Sequence, residues 1–473
     1  MRLIRLKNFN LDDRGCIFEF DGRIFRGIYE HRKDLILEIL NGGLLEELVK
    51  RGLFVPTRVS DLKLDDYALV LEHERVDPII YPYEWTFSML KSAALMVLDI
   101  FEVAKKYGFY PLDCHAYNVG FKGGKPVFLD LGSFFKTNAK EDDCLLSNFI
   151  RNFSRSYYFP LFLWSRGIVD LVRFNFYRGF YHSYREYLLL REGLSSGFRI
   201  DEALSRLMFK GLKEIALFIA NLGYDESPIG DFNVKKGYAP LISGLKILFK
   251  HSGLNLVCLK GLREEIENLK VNFKTRWEDY YGPAPKLTPR FSRILSLVKD
   301  LCRDAETAIS FGANACFFEN ALLDMTHIKR VICQDADFNA LDAGFNRYGH
   351  RSDGKEIFFA CYDFLKPLLP ITRVKSPYKR FKSDLVIALA LTHHLILREG
   401  CSMDFILKEF RKYTNKFAFI EFMPLGLWSP GSEVRVPPWY TRDNFRNSFC
   451  KYFDFLLEEQ LEENRILFIG KVK

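Results

Sequence analysis

The chain runs to 473 residues, too long for one core, so two or three domains are expected. Hydrophobic residues at 48% and charged residues at 27% describe an ordinary globular protein and exclude a disordered or fibrous one. The net charge of +8 permits an anionic partner, such as a nucleotide, a glycan or a membrane surface, without demanding one.

Aromatic residues make up 15% of the chain, with 45 Phe, which fits thick apolar cores, a sticky surface or a composition bias of the source genome. Ten cysteines are scattered with no C-x-x-C pair. That spacing argues against a zinc knuckle and a disulfide framework, and for a reducing, cytoplasmic setting. The start, Met1-Arg2-Leu3-Ile4-Arg5-Leu6-Lys7, holds no apolar run of signal-peptide length. The longest apolar run, Leu385 to Leu391, is too short to span a bilayer.

The first predicted element is a hairpin over 16–29, with Asp21-Gly22 as the turn between two β-prone runs. A helix is expected from Asp34 to about Arg51, stopped by Gly52, and a strand over 67–71. From Glu84 to Tyr107 apolar residues fall on nearly every face, the pattern of a buried helix, which Gly108 closes.

Immediately afterwards Asp113 and Asn118 stand five apart, and Asp130 ends an apolar strand with Leu131-Gly132 behind it. A strand pair, 119–121 and 126–130, joins through Lys122-Gly123-Gly124-Lys125. The stretch resembles the small-molecule kinases of the kinase-like fold, such as aminoglycoside and choline kinases, with their D-x-H-x-x-N followed by D-x-G. That resemblance implies Asp113 as catalytic base, Asn118 and Asp130 as Mg²⁺ ligands, and ATP as a bound nucleotide. The chain departs from the pattern in lacking a glycine-rich phosphate loop and a Val-Ala-Ile-Lys strand before residue 70. Arg23, Arg26 and Lys33 are available for phosphates, yet nothing singles them out. A degenerate kinase-like domain is therefore one reading, and a solvated Asp/His/Asn loop is another.

From Cys144 to Val271 the pattern is mainly helical. It includes a basic, aromatic stretch: Arg151, Phe153, Arg155, Tyr157, Tyr158, Phe159, Trp164, Arg166, Arg173, Phe174, Tyr177, Arg178 and Arg185. Such interleaving suits single-stranded nucleic acid or a peripheral membrane contact. The preferred reading is plainer, helices with aromatics inward and Arg outward. Thr275-Arg276-Trp277-Glu278-Asp279-Tyr280-Tyr281 is placed as an aromatic lid over the following domain, by proximity alone. The proline-rich run 281–289 is the expected linker.

After it strands and helices alternate. Strands are expected at 307–311, 330–335, 356–362, 384–390 and 416–422, with a closing hairpin at 452–457 and 465–470. This describes a mostly parallel sheet with one antiparallel edge strand. Ligands of such sheets sit at the carboxyl ends of the strands. There the chain places Gly312 with Asn314 in the first turn, Asp335 ending the second strand, and Asp363-Phe364 after the third, a carboxylate and a ring suited to an adenine.

The ordered set Gly312, Asp335, Asp363 and Ser383–Leu391 resembles class I S-adenosylmethionine-dependent methyltransferases, over roughly 290–473. The resemblance implies S-adenosylmethionine (SAM) as cofactor, held by Gly312, Asn314, Asp335 and Asp363. Ser310 and Ala315 stand where the family usually has an acidic residue and a second glycine. Candidate bases for a hydroxyl acceptor are His393, His394 and Glu421. Each has a structural reading beside the chemical one: a capping or packed histidine, and a carboxylate paired with a basic residue.

The fold class expected is thus multidomain α/β and α+β. A kinase-like domain with a helical lobe comes first, at 1–143 and 144–280. The 281–289 linker follows, then a Rossmann-like methyltransferase domain at 290–473 with an antiparallel terminal hairpin. The order of modules resembles a bacterial group of kinase-like/methyltransferase fusions, some described as nodulation-type methyltransferases. The leading expectation is methyl transfer to an unidentified glycan or small anionic acceptor, alone or coupled to phosphorylation. A non-catalytic nucleotide-binding scaffold is the alternative, and nucleic-acid modification ranks last.

Overall fold

The computed structural model describes residues 4–6, 14–137, 142–179, 187, 259–282, 284–367, 375–428 and 436–473. Arg185 and most of the expected middle helical region lie outside the described residues.

An antiparallel sheet opens the chain, in the order β1-β2-β3-β5-β4. Its strands are β1 (Ile4–Leu6), β2 (Gly15–Phe20), β3 (Arg23–Ile28), β4 (Thr57–Val59) and β5 (Leu69–His73). The predicted hairpin is β2–β3, and Asp21 and Gly22 both take positive φ, 49° and 72°, as a two-residue turn requires. The single helix expected from Asp34 is two helices, α1 (Glu30–Asn41) and α2 (Leu44–Lys50). The break falls at Gly42-Gly43, where Gly43 has φ 86° and cannot continue a right-handed helix.

Helix α3 (Phe87–Lys106) starts at Thr86, whose hydroxyl accepts from the Met89 N–H. Twelve of its side chains are buried, while Ser88, Lys91, Leu95, Asp99 and Glu102 keep a partly exposed stripe, so the helix is less fully enclosed than its pattern predicts. Short strands β6 (Phe109–Pro111), β7 (Val119–Lys122), β8 (Lys125–Phe128) and β9 (Phe134–Lys136) pair as β6–β9 and β7–β8. Helices α4 (Asp142–Phe153), α5 (Phe159–Ser165), α6 (Val169–Arg178) and α7 (Leu259–Asn268) follow. In this stretch Phe153, Tyr157, Tyr158, Phe159, Trp164 and Phe176 are buried, so the described aromatics chiefly build the core.

The rest of the chain folds on a seven-stranded sheet, in the order β12-β11-β10-β13-β14-β16-β15. Its strands are β10 (Thr307–Phe311), β11 (Arg330–Asp335), β12 (Glu356–Cys361), β13 (Ser383–Ala388), β14 (Thr414–Phe422), β15 (Phe453–Glu462) and β16 (Arg465–Val472). The first five are parallel, and β16 runs antiparallel to both of its neighbours. The connecting helices are α8 (Pro289–Leu301), α9 (Phe317–Met325), α10 (Phe338–Tyr348), α11 (Pro377–Arg380), α12 (Thr392–Leu397), α13 (Met403–Lys412) and α14 (Arg442–Tyr452). Leu385, Val386, Ile387 and Ala388 of β13 are fully buried, as a parallel strand covered on both faces must be. Strand order reverses between β10 and β13, and a crevice opens at the carboxyl ends of such a pair.

The two halves share one continuous apolar core. Polar bonds cross it as well. Asp342 of α10 accepts from both the N–H and the hydroxyl of Ser88, each at 2.7 Å. Arg380 reaches the fully buried Glu84 carboxylate with two guanidinium nitrogens and the Ile79 carbonyl with one of them. A buried pair adds little net stability against an apolar replacement, but removing one partner strands the other charge. Arg380→Met should therefore cost about 3–5 kcal/mol, and Glu84→Gln with Arg380→Met together much less than the sum. Urea unfolding of the single and double variants measures this.

Candidate functional site

The turn after β10 is built from left-handed residues: Gly312 at φ 69°, Asn314 at 50° and Cys316 at 59°. Across the crevice the β13 tip carries a fourth, Ala390 at 53°. A Cβ on Gly312 would lie 3.3 Å from the Leu391 side chain, so this glycine serves both the turn and the close approach of the two tips. Asp335, at the end of β11, closes onto the same turn. Its carboxylate accepts the Asn314 N–H at 2.7 Å and the Asp337 N–H at 2.8 Å. Burial pushes its carboxyl up to about 6, against those two bonds. Each oxygen keeps a second lone pair for a hydroxyl donor.

The structure thus brings Gly312, Asn314 and Asp335 together. Asn314 is committed to the protein: its amide donates to the Trp277 carbonyl at 2.7 Å and its side-chain oxygen accepts the Ala315 N–H at 2.8 Å. Asp363 is exposed, and its carboxylate accepts the Leu365 N–H of its own loop at 2.9 Å. The Phe364 ring does not offer a face to an adenine. It is buried 4.4 Å from Phe311 and stacks on Phe410 at 5.2 Å, because the loop after β12 turns inward.

The segment expected as a lid lies across these tips. The Trp277 N–H donates to Asp337 at 2.9 Å, Thr275 also bonds Asp337, and the Trp277 ring meets His394 edge-on at 5.1 Å. Arg276 sits over the Trp277 ring at 4.9 Å and Tyr280 packs against it, 52% exposed. An aromatic, basic rim results.

His393 and His394 occupy the first turn of α12, with ring centroids 4.0 Å apart. Neither Nδ1 has a hydrogen-bond partner within the protein, and His393 is buried. Burial, reinforced by His394 and Arg465, pushes His393 down to about 3, and burial lowers His394 as well. Both are neutral at physiological pH. Glu421 takes the structural reading, a carboxylate paired with basic residues, although it lies inside the sheet and not at a ribbon edge. It is fully buried, bonded by Arg290 at 2.6 and 2.8 Å, by Arg465 at 3.4 Å and by the Ala390 N–H at 2.8 Å. A carboxylate so engaged holds structure. Arg290 and Arg465 carry no motif that would reveal them, since the partner comes from remote sequence.

The N-terminal constellation also converges. Asn118 Nδ2 donates to the Asp113 carbonyl at 2.9 Å and lies 3.5 Å from Asp130 Oδ2. Both carboxylates are, however, met by the chain's own cations. Arg14 bonds Asp113 at 3.1 Å, with His115 3.3 Å away on the other oxygen, and Arg26 bonds Asp130. Burial alone would raise the Asp130 carboxyl, but Arg26 and Arg14, with the Ser133 hydroxyl and the Gly132 N–H, hold it below its ordinary value. Gly132 makes room for this, since a Cβ there would lie 2.6 Å from the Arg26 guanidinium. A donor set neutralised in this way does not fit Mg²⁺.

No family model matches the chain. It is 26% identical over 437 residues to the nodulation protein NoeA of Rhizobium meliloti (strain 1021), covering 87% of this chain and 83% of that protein. Among solved structures, magnesium protoporphyrin IX methyltransferase (ChlM) of Synechocystis PCC 6803 with bound SAH is 12% identical. The match covers 42% of this chain and 93% of that one at a TM-score of 0.31. The N-methyltransferase NodS of Bradyrhizobium japonicum WM9 is 13% identical over 39% of this chain and 85% of that one, at 0.29. The PH0226 protein of Pyrococcus horikoshii OT3 is 16% identical over 43% and 100%, at 0.31.

The buried histidine gives a pH prediction. With its folded value depressed below the ordinary 6.5, His393 contributes stability that is complete above that pH and is lost as pH falls through it. By pH 5 the loss should reach about 2 kcal/mol. His73, depressed to about 4, adds a loss of the same sign. Replacing His393 by Phe should flatten the fall in Tm between pH 7 and pH 5, measured by calorimetry.

Proposed function

We propose that the chain is a SAM-dependent methyltransferase whose N-terminal half does not transfer phosphate. The observation that carries the first part is the Asp335–Asn314 bond. It gathers the second strand tip and the glycine turn at the point where strand order reverses, the position at which open α/β sheets hold nucleotides. The terminal antiparallel hairpin agrees with the family that the sequence resembles.

Gly312 and Asp335 fit such a cofactor: one permits close backbone approach, the other keeps lone pairs for ribose hydroxyls. SAM would supply an electrophilic methyl on a sulfonium. The protein's part is alignment, exclusion of water by the Trp277 segment, and proton acceptance by His394 or His393 where the acceptor is a hydroxyl. Neutral imidazoles suit a site beside a cation and are able to take a proton. Asn314 and Glu421 are positioning residues. The rim of Arg276, Trp277 and Tyr280 favours a glycan or small anionic acceptor, which aromatic faces and a guanidinium can grip.

The second part rests on Arg14 and Arg26. With these side chains on Asp113 and Asp130, the kinase-like constellation is a partly buried polar network that braces its own loop.

Calorimetric titration with SAM should give saturable binding with one site per chain, and Asp335→Ala should weaken it about 10- to 100-fold, the loss of bonds from hydroxyls to a charged acceptor. The absence of binding at millimolar SAM would overturn the proposal. Mg-ATP should give no saturable heat, and Asp113→Asn should leave SAM affinity unchanged. Saturable Mg-ATP binding abolished by that substitution would restore the kinase reading.

A further inference from the structure

Next to the glycine turn lies a buried group for which the proposed methyl transfer has no use. Cys316 caps the N-terminus of α9, Glu319 is in the first turn of that helix, and Cys333 is on β11. One donor atom from each lies within 4.8 Å of the others. All three are buried: both cysteines are fully inaccessible and Glu319 is 3% exposed.

The carboxylate is only half satisfied. Ser310 Oγ donates to Glu319 Oε1 at 2.6 Å, while Oε2 has no partner. An unmatched acceptor at this depth is costly unless something with positive character meets it. The surroundings favour the inward sulfur. A Cβ on Gly344 would lie 2.7 Å from Cys316 Sγ, so a glycine at that point of α10 leaves the thiol its place. The Cys316 thiol donates a long bond to the Asn314 carbonyl, at 3.6 Å, and its sulfur is also in hydrogen-bond contact with that of Cys333.

We propose that Cys316, Cys333 and Glu319 bind a thiophilic divalent cation of the Zn²⁺ class. Two sulfurs and one carboxylate oxygen are the donors such an ion prefers, and around one ion they stand roughly 3–4 Å apart, within the separation seen. Binding releases the two thiol protons to solvent, and the helix N-terminus above Cys316 offsets the added negative charge. The ion ties α9 to β11, two residues before Asp335, and so fixes the two segments that meet at the crevice. The sequence gives no hint of this, since the cysteines stand 17 residues apart without a paired motif.

Metal analysis of the full chain, purified without chelators, is expected to give about one Zn²⁺ per chain, with loss to background in Cys316→Ser and Cys333→Ser. Co²⁺ alone, added to the chelator-treated protein, should develop an ultraviolet thiolate-to-metal band and tetrahedral visible bands. Zn²⁺ should then abolish these bands and raise Tm. The spectrum is read on the unsubstituted chain, so misfolded variants do not blunt the test. Three results would each overturn the proposal: Co²⁺ without a thiolate band, metal content unchanged in folded cysteine variants, or a Cys316–Cys333 disulfide in the purified chain by mass.

Discussion

A single buried carboxylate sets the frame on which the crevice depends. Glu421, at the tip of β14, is shared by Arg290 of α8, Arg465 of β16 and the N–H of Ala390 beyond β13. Its neighbours are distant in sequence, and its removal would leave two guanidiniums facing each other without an anion. Such a cluster contributes less to net stability than to uniqueness of arrangement, because a mispaired alternative is far worse than the native one. It holds Ala390 in its left-handed conformation and thereby directs the chain into α12, where the histidines sit. Thr392 adds to this by donating its hydroxyl to the Glu421 carbonyl at 2.6 Å. The rings of His393 and His394 are thus positioned by a carboxylate that lies outside their own helix.

The parallel sheet was legible in the sequence because its strands are apolar on both faces and are punctuated by turn residues. Thr307–Phe311 and Arg330–Asp335 fall on the expected bounds, and the missing helix between β15 and β16 is visible as a mere lack of room. The α1–α2 break was missed although Gly42-Gly43 announces it, because the apolar period runs through the pair. What a single sequence could not show is which polar groups satisfy one another. Asp335 and Asp363 look alike as acidic residues after strands, yet one closes onto the glycine turn and the other caps its own loop. Phe364 looks like a ligand-facing ring only until the inward path of its loop is known. For Glu421 a basic partner is foreseeable but its identity is not, because Arg290 and Arg465 stand 131 and 44 residues away.

The two halves treat their carboxylates in opposite ways, and this separates their capacities. In the N-terminal half, Asp113 and Asp130 are matched by guanidiniums, which carry full charge and cannot be deprotonated. A metal would have to displace an arginine whose own burial then becomes unpaid. In the C-terminal half, Asp335 is held by backbone N–H groups, which orient it without consuming its charge. The first arrangement is self-contained, whereas the second keeps both a charge and free lone pairs directed to a crevice. Acidic residues at strand ends therefore meet different partners in the two halves, and the difference lies in the counter-charge supplied by residues outside the motif.

The contacts between the halves give the N-terminal one a structural role. Trp277 belongs to the segment that leaves the N-terminal half, yet its carbonyl anchors Asn314 and its ring covers His394. Asp337, one turn beyond Asp335, takes bonds from Thr275 and Trp277 together. Any displacement of the N-terminal half that drags this segment must loosen the glycine turn, because Asn314 is bonded to both sides. A domain that braces its own catalytic-looking loop with arginines, and docks through Asp342–Ser88 and Glu84–Arg380, is rigid enough to hold that segment closed. The N-terminal half is in this way part of the wall beside the glycine turn, and its carboxylates serve the stiffness of that wall.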